Sequence, residues 1–377
     1  MEYQDEIEIL LELRNKIFNE KNNKQKLLYL DDYFNIISYL DKLNAIDLKK
    51  EIESIGSNTI YYINKLRKEK ERFCNTFFKN FSLIDDSINN IMNIYNDYPL
   101  ININYQCQHL IKEKDGISLL YDFFGNLNND FYKLFKNILI NGHISYIPNV
   151  LSEGMTYTTN GGYGNYIILR KENNYFDYEV LSSLTHEIGH CYEMDLLKDK
   201  KIFFHNHLLI EVTSLFIQKL FDLYNINNNI YLKDAKDSRM WWQICVYNKT
   251  LCLDFINKCI NDNCIEELNP INYTFSILYN EEMIKYLNLQ NNVAFQYCTF
   301  DITNYLYVIG DYIANNLVGI YKQDPKEALK LLGRFILTYR NKSLKSNLDN
   351  YGNDFSETKK LIKEIFIYQR KEGYCEK

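Results

Sequence analysis

Proline is nearly absent from the chain: only Pro99, Pro148, Pro270 and Pro325 occur in 377 residues. Proline removes a backbone donor and breaks helices, so its scarcity leaves long helices free to form. Glycine is sparse as well, 14 residues in all, with long stretches holding none. The nine cysteines are scattered, odd in number and never spaced C-x-x-C. That pattern speaks against a disulfide framework or a thiolate cluster, and the thiols are read as reduced, small buried hydrophobes. No run approaches the roughly 18 uninterrupted apolar residues that a membrane span requires. Positive charge is not in excess either: 43 Lys and Arg stand against 49 Asp and Glu, a net charge of −6. Without a basic field, no nucleic-acid partner is expected. The opening residues, MEYQDEIEILLELRNKIFNEKNN, carry acids where a secretion signal would be basic and then continuously apolar. The expectation is a cytoplasmic protein with no membrane partner.

Present in quantity are the signals of helix. From Asp5 to about Phe81 apolar residues recur every three or four positions, as in LLELRNKIF and LLYLDDYFNIISYL, and the same period resumes from Ile117 to Leu139. Between Gly142 and Tyr178 the texture changes. HISYIPNV, GMTYTTNGGYGNYIIL and YFDYEV are short, rich in β-branched and aromatic residues, and parted by Gly and Asn. They predict a small β-sheet. After Val180 the helical pattern returns and continues to Gln369. The chain therefore reads as mainly α with one small sheet (about residues 142–178). Its organisation is an N-terminal helical lobe to about residue 100, then a second region over 101–377 that holds the sheet and helices to about 370.

Directly after the predicted strands comes LSSLTHEIGHCYEMDLL. On a helix, His186 and His190 are separated by about 400° of turn, which leaves the two rings roughly 40° apart on one face. Two imidazoles so placed can hold one zinc ion, and Glu187 between them can serve as a general base. With six histidines in the chain, the pattern arises by chance roughly 0.01 times. A catalytic zinc needs a third protein ligand. The next segment, HNHLLIEVTSLFIQKLF, offers Glu211, and also His205 and His207; His207 would share a helix face with Glu211. His109 and His143 have no neighbour at metal spacing.

At this point the sequence resembles the oligoendopeptidase F and thimet oligopeptidase family of zinc peptidases. VLSSLTHEIGH is similar to that family's segment through HExGH, and IEVTS to the segment that carries its third ligand. The resemblance implies a gluzincin-like architecture, two helical lobes around a cleft with the sheet beside the active site. It assigns the third ligand role to Glu211, beside His186 and His190. GMTY followed by GNYIIL is similar to the family's strands before the zinc helix, where extended peptide pairs with a sheet edge. On that likeness the exposed backbone from Gly161 to Tyr166 would hold substrate whatever its side chains, with Gly161, Gly162, Tyr163 and Gly164 as the candidate contacts. YLYVIGDYIA resembles the family's tyrosine-rich segment facing the metal, and GND near the end its closing G-x-D, here Gly352 and Asp354. Tyr305 and Tyr307 are thus candidate donors to a developing oxyanion, with Tyr297 and Tyr312 behind them as substrate contacts.

The chain departs from the family in three positions. Glu193 stands three residues after the second ligand, where the family has His. Tyr297 lies nearest, by spacing, to another family His, and Gln218 replaces a Glu seven residues after the third ligand. The N-terminal region is also shorter than usual. The implied function is hydrolysis of peptide bonds in oligopeptides by zinc-activated water, with Glu187 as base and one Zn2+ as cofactor. The alternative is a catalytically impaired, peptide-binding homologue of the same fold.

Overall fold

A computed structural model describes residues 3–65, 68, 79–101, 107, 109–148, 154–159, 163–171, 175–197, 208–261, 293–352 and 354–374. In chain order the elements named below are α1 (Gln4–Asn19), α2 (Asn23–Lys42), α3 (Leu48–Ser54), α4 (Phe81–Asp97), β1 (Ile111–Lys112), α5 (Glu113–Leu127) and α6 (Asn129–Ile140). There follow β2 (Ile144–Ile147), β3 (Gly154–Thr158), β4 (Asn165–Arg170), β5 (Tyr175–Phe176) and α7 (Tyr178–Leu197). The remainder is α8 (Val212–Asn227), α9 (Leu232–Asn261), α10 (Val293–Gln323), α11 (Pro325–Thr338), α12 (Leu344–Tyr351) and α13 (Ser356–Lys371). The protein is mostly helical with small sheets, as the pattern of apolar residues predicts. Among the described residues, no helix is long and apolar enough to cross a membrane.

Several helices start where a short polar side chain can satisfy their unpaired N–H groups. Asn22 Oδ1 accepts from Lys24 N and Gln25 N at 3.0 and 3.2 Å, opening α2. Asp324 does the same for α11 through Lys326 and Glu327, with Pro325 at the first helical position where its missing donor costs nothing. Asp177 accepts from Val180 N at 2.8 Å at the head of α7.

By contacts the chain divides into two compact units, each assembled from separate stretches. One comprises residues 1–68, 107–205 and 221–235; the other, 69–106, 206–220 and 236–377. The first unit holds the sheets. β4 is central in a three-stranded sheet, parallel to β2 and antiparallel to β3, with Thr156 opposite Ile167 and Gly154 opposite Leu169. β1 and β5 form a separate antiparallel pair.

Alternation along the strands sends successive side chains to opposite faces. Tyr166 and Ile168 enter a core built with Leu10, Leu13 and Ile17 of α1 and Tyr33, Ile37 and Leu40 of α2. Ile167 and Leu169 take the other face, with Gly154 and Thr156 of β3, and α7 packs against both strands there. Helix α7 is buried around most of its circumference, from Val180 and Leu184 to Cys191 and Met194. An enclosed helix of this kind has no need of a single apolar stripe.

In the second unit α10 packs against α11, α12 and α13, and α13 against α4. Its core is centred on Leu332, Phe335, Ile336, Ile362 and the buried rings of Tyr95, Tyr312 and Tyr339. A charged pair sits inside it. Lys219 Nζ lies 2.6 Å from Asp311 Oδ1, with both side chains buried. Asp311 also accepts from Asn315 Nδ2 at 2.9 Å and Trp242 Nε1 at 3.3 Å, so its charge is compensated on several sides.

Candidate metal centre

The helical period of α7 sets the first two groups. His186 and His190 project from one face, with ring centroids 4.9 Å apart and planes at 77°. His186 is buried and His190 partly so. Glu211 lies one residue before α8, and its carbonyl accepts Leu215 N, so it opens that helix rather than sitting within it. Ser214 Oγ, itself buried, is 3.2 Å from Glu211 Oε2. Gly310 of α10 packs against the same residue: a Cβ there would stand 3.1 Å from Glu211 Cβ and 3.2 Å from Leu215 Cδ1. One ligand atom each from His186, His190 and Glu211 lie within 4.8 Å of one another, and among the described residues this is the group of His, Cys, Asp and Glu that could hold a metal ion. Two imidazoles and one carboxylate are a donor set suited to zinc, with a fourth position left for water or substrate.

Glu187 is not in that group. Only 7% exposed, its side chain is turned onto strand β3. Thr156 Oγ1 donates a hydrogen bond to Glu187 Oε2 and lies 3.5 Å from its carbonyl oxygen. A Cβ at Gly154 would stand 2.9 Å from Glu187 Oε1 and 3.0 Å from its Cγ. The motif signalled Glu187 but neither of these two partners. A period-two reading of GMTYT puts residues 154 and 156 on one face; which face meets α7 is decided by packing.

The tyrosines of α10 differ among themselves. Tyr305 is fully buried, and burial pushes its phenol well above the ordinary value, so the hydroxyl stays protonated. Tyr312 is also buried and stacks on Phe355, centroids 4.2 Å apart. Tyr307 is half-buried, edge-on to Trp242 at 5.6 Å and 4.9 Å below Lys249 Nζ. Three residues separate it from Gly310, so it falls near the helix face that meets Glu211. Tyr305 and Tyr312, seven residues apart, share the opposite side of the helix, about 140° and 160° from Gly310. The side chain of Tyr297 lies outside the described residues, as do Gly161, Gly162, His205 and His207.

Tyr163 has partners on α1: Lys16 Nζ donates to its hydroxyl at 2.6 Å, and the hydroxyl is 3.3 Å from Glu12 Oε1. Gly164 has φ +105°, and a Cβ there would stand 2.4 Å from the His143 ring, so only glycine fits. Asn165 and Tyr166, to which the pairing of an extended peptide was expected to reach, belong to the central strand β4 and are already paired with Thr158 and Tyr157. Among the described residues β3 pairs with β4 alone, and β3 is the strand that touches Glu187.

Comparison with known proteins returns structures alone: no family model matches, and no curated protein does. The chain is similar to a structure described as an oligoendopeptidase F from Bacillus anthracis str. Ames, at TM-score 0.46 and 11% identity, over 96% of this chain and 69% of that one. It is also similar to PZ peptidase A with inhibitor 2, at TM-score 0.45 and 10% identity over 96% and 71%. A third, described as a peptidase from Chlamydophila abortus, aligns at TM-score 0.43 and 13% identity over 91% and 62%.

Proposed function

We propose that the chain is a zinc-dependent peptidase that cleaves oligopeptides, of the oligoendopeptidase F and thimet oligopeptidase type. The observation that carries the reading is the approach of one ligand atom each from His186, His190 and Glu211 to within 4.8 Å, with the Glu187 carboxylate of the same helix turned onto strand β3. Zinc bound by these three groups would lower the pKa of its water toward about 7 and polarise a peptide carbonyl. Glu187 takes the proton of the attacking water and delivers it to the leaving amine. Tyr307 is the better placed of the two tyrosine donors for the developing oxyanion, because it shares a helix side with Gly310 and is not sealed in the core. The backbone of β3 is the edge on which an extended peptide would pair, whatever its side chains.

A peptide-binding homologue with impaired turnover is the second reading. The buried Glu193, where the family carries His, favours it. One experiment separates the two: a quenched-peptide library with the metal-loaded chain, after chelation, after zinc add-back, and with Glu187→Gln. Peptidase activity should vanish with chelator and return with zinc. Glu187→Gln should lose about 10²- to 10⁴-fold in turnover while zinc content stays at one per chain. Turnover by Glu187→Gln close to that of the unaltered chain would falsify the assignment of the base. Peptide binding without cleavage in the unaltered chain would select the impaired homologue.

A further inference from the structure

We infer that Thr156 is a positioning residue for the Glu187 carboxylate, tying one of its oxygens to strand β3 so that the other alone receives the proton. The inference deepens the proposed function and rests on it. Two contacts from the same strand face bear on the same carboxylate. Thr156 Oγ1 hydrogen-bonds to Oε2, and Gly154, two residues earlier, leaves beside Oε1 a space that any Cβ would fill at 2.9 Å. The strand face is held by pairing: Thr156 is opposite Ile167 and Gly154 opposite Leu169, both fully buried beneath α7.

A threonine hydroxyl has one proton to donate and two lone pairs to accept with. Its proton goes to Oε2, since an ionised carboxylate only accepts. A glutamate side chain free about three torsions would spread its two oxygens over many positions. With Oε2 tied and the backbone of Gly154 bounding the other side, the carboxylate is confined to one orientation. In the hydrolytic step the O–H bond of the attacking water breaks, its proton moves to Oε1, and the oxygen bonds to the peptide carbonyl carbon. The same proton then passes from Oε1 to the nitrogen as the C–N bond breaks and the carbonyl re-forms, releasing the amine. Holding the acceptor oxygen in place for both transfers is the contribution assigned to Thr156.

The test compares Thr156→Val, which keeps volume and β-branching but removes the donor, with Thr156→Ser, which keeps the donor. Both are full-length, zinc-loaded and checked by thermal melting. Thr156→Val should lower kcat by about 10- to 100-fold, the usual weight of a hydrogen bond to a charged group. Its KM should stay within about twofold and its zinc content unchanged, while Thr156→Ser should recover kcat to within about threefold. A second readout needs no turnover: calorimetric binding of acetohydroxamate, whose hydroxyl proton the carboxylate takes, against azide, which needs the metal alone. Thr156→Val should weaken acetohydroxamate about tenfold and leave azide unchanged. Unaltered kcat and hydroxamate affinity in Thr156→Val overturn the inference, and so does a loss in Thr156→Ser as large as in Thr156→Val. An unaltered chain that cleaves no peptide, yet loses hydroxamate affinity selectively on Thr156→Val, ends the peptidase reading and leaves the role of Thr156 standing.

Discussion

Two stretches read as parts of one site behave differently once folded: the HEIGH segment of α7 and the tyrosine run of α10. In the first, residues four apart share a helix face, and His186 and His190 stand with their rings 4.9 Å apart. In the second, Tyr305 and Tyr312 are seven residues apart and share a helix face, while Tyr307, two and five residues from them, falls on the other side. Tyr305 and Tyr312 go into the core, and Tyr307 alone falls near the side of Gly310, which packs on Glu211. The polar anchor of that stretch is none of the tyrosines. It is Asp311, paired in the interior with Lys219 of α8. Spacing carries positional information that residue type alone does not.

The comparison can be broken at its buried charge first. Lys219→Met removes one partner of an ion pair whose side chains are 8% and 3% exposed, and leaves the Asp311 charge with neutral donors alone. Denaturant unfolding should register a loss of about 3–5 kcal/mol. A loss under about 1 kcal/mol would mean that the neutral donors Asn315, Trp242 and Gln243 suffice for Asp311.

Next in size, and sharpening the contrast among the tyrosines, are two hydroxyl deletions. Tyr307→Phe should raise the barrier for kcat by about 3 kcal/mol, if its hydroxyl reaches the oxyanion, with KM little changed. Tyr305→Phe should leave the ratio of kcat to KM near that of the unaltered chain and act on stability instead, since its hydroxyl is fully enclosed. The reverse outcome would reassign the donor. Smallest is Gly310→Ala. The added methyl would press on Glu211 Cβ at 3.1 Å and Leu215 Cδ1 at 3.2 Å, and overpacking of that kind costs about 1–3 kcal/mol. Zinc affinity measured by competition with a chromophoric chelator should fall along with stability, because the displaced residue is Glu211. Stability lost with no change in zinc affinity would separate Gly310 from the metal centre.

Much of the fold was legible beforehand. Few prolines and a three- to four-residue apolar period predict helices, and a β-branched, glycine-punctuated stretch predicts β2 to β5. Local propensity suffices for both, since each depends on neighbours within a few positions. His186, Glu187 and His190 were legible for the same reason: their relation is fixed by one helical turn. Glu211 was reached only through resemblance, because its place 21 positions after His190 leaves spacing silent about approach. Gly154 and Thr156 carried no signal toward Glu187, their partner being 33 and 31 residues away on another element. The expectation of peptide pairing through residues 165 and 166 met β4, whose place at the centre of its sheet no single-strand pattern reveals.

Read alone, the amino-acid order determined that helices dominate, where a small sheet interrupts them, and which two imidazoles would share a helix face. Those are short-range matters of backbone geometry and side-chain period. Only the tertiary structure decided which strand edge meets α7, which oxygen of Glu187 is tied by Thr156, and which of several tyrosines is enclosed. Each of these depends on the packing of surfaces far apart along the chain, where burial and close contact, not local preference, select one arrangement.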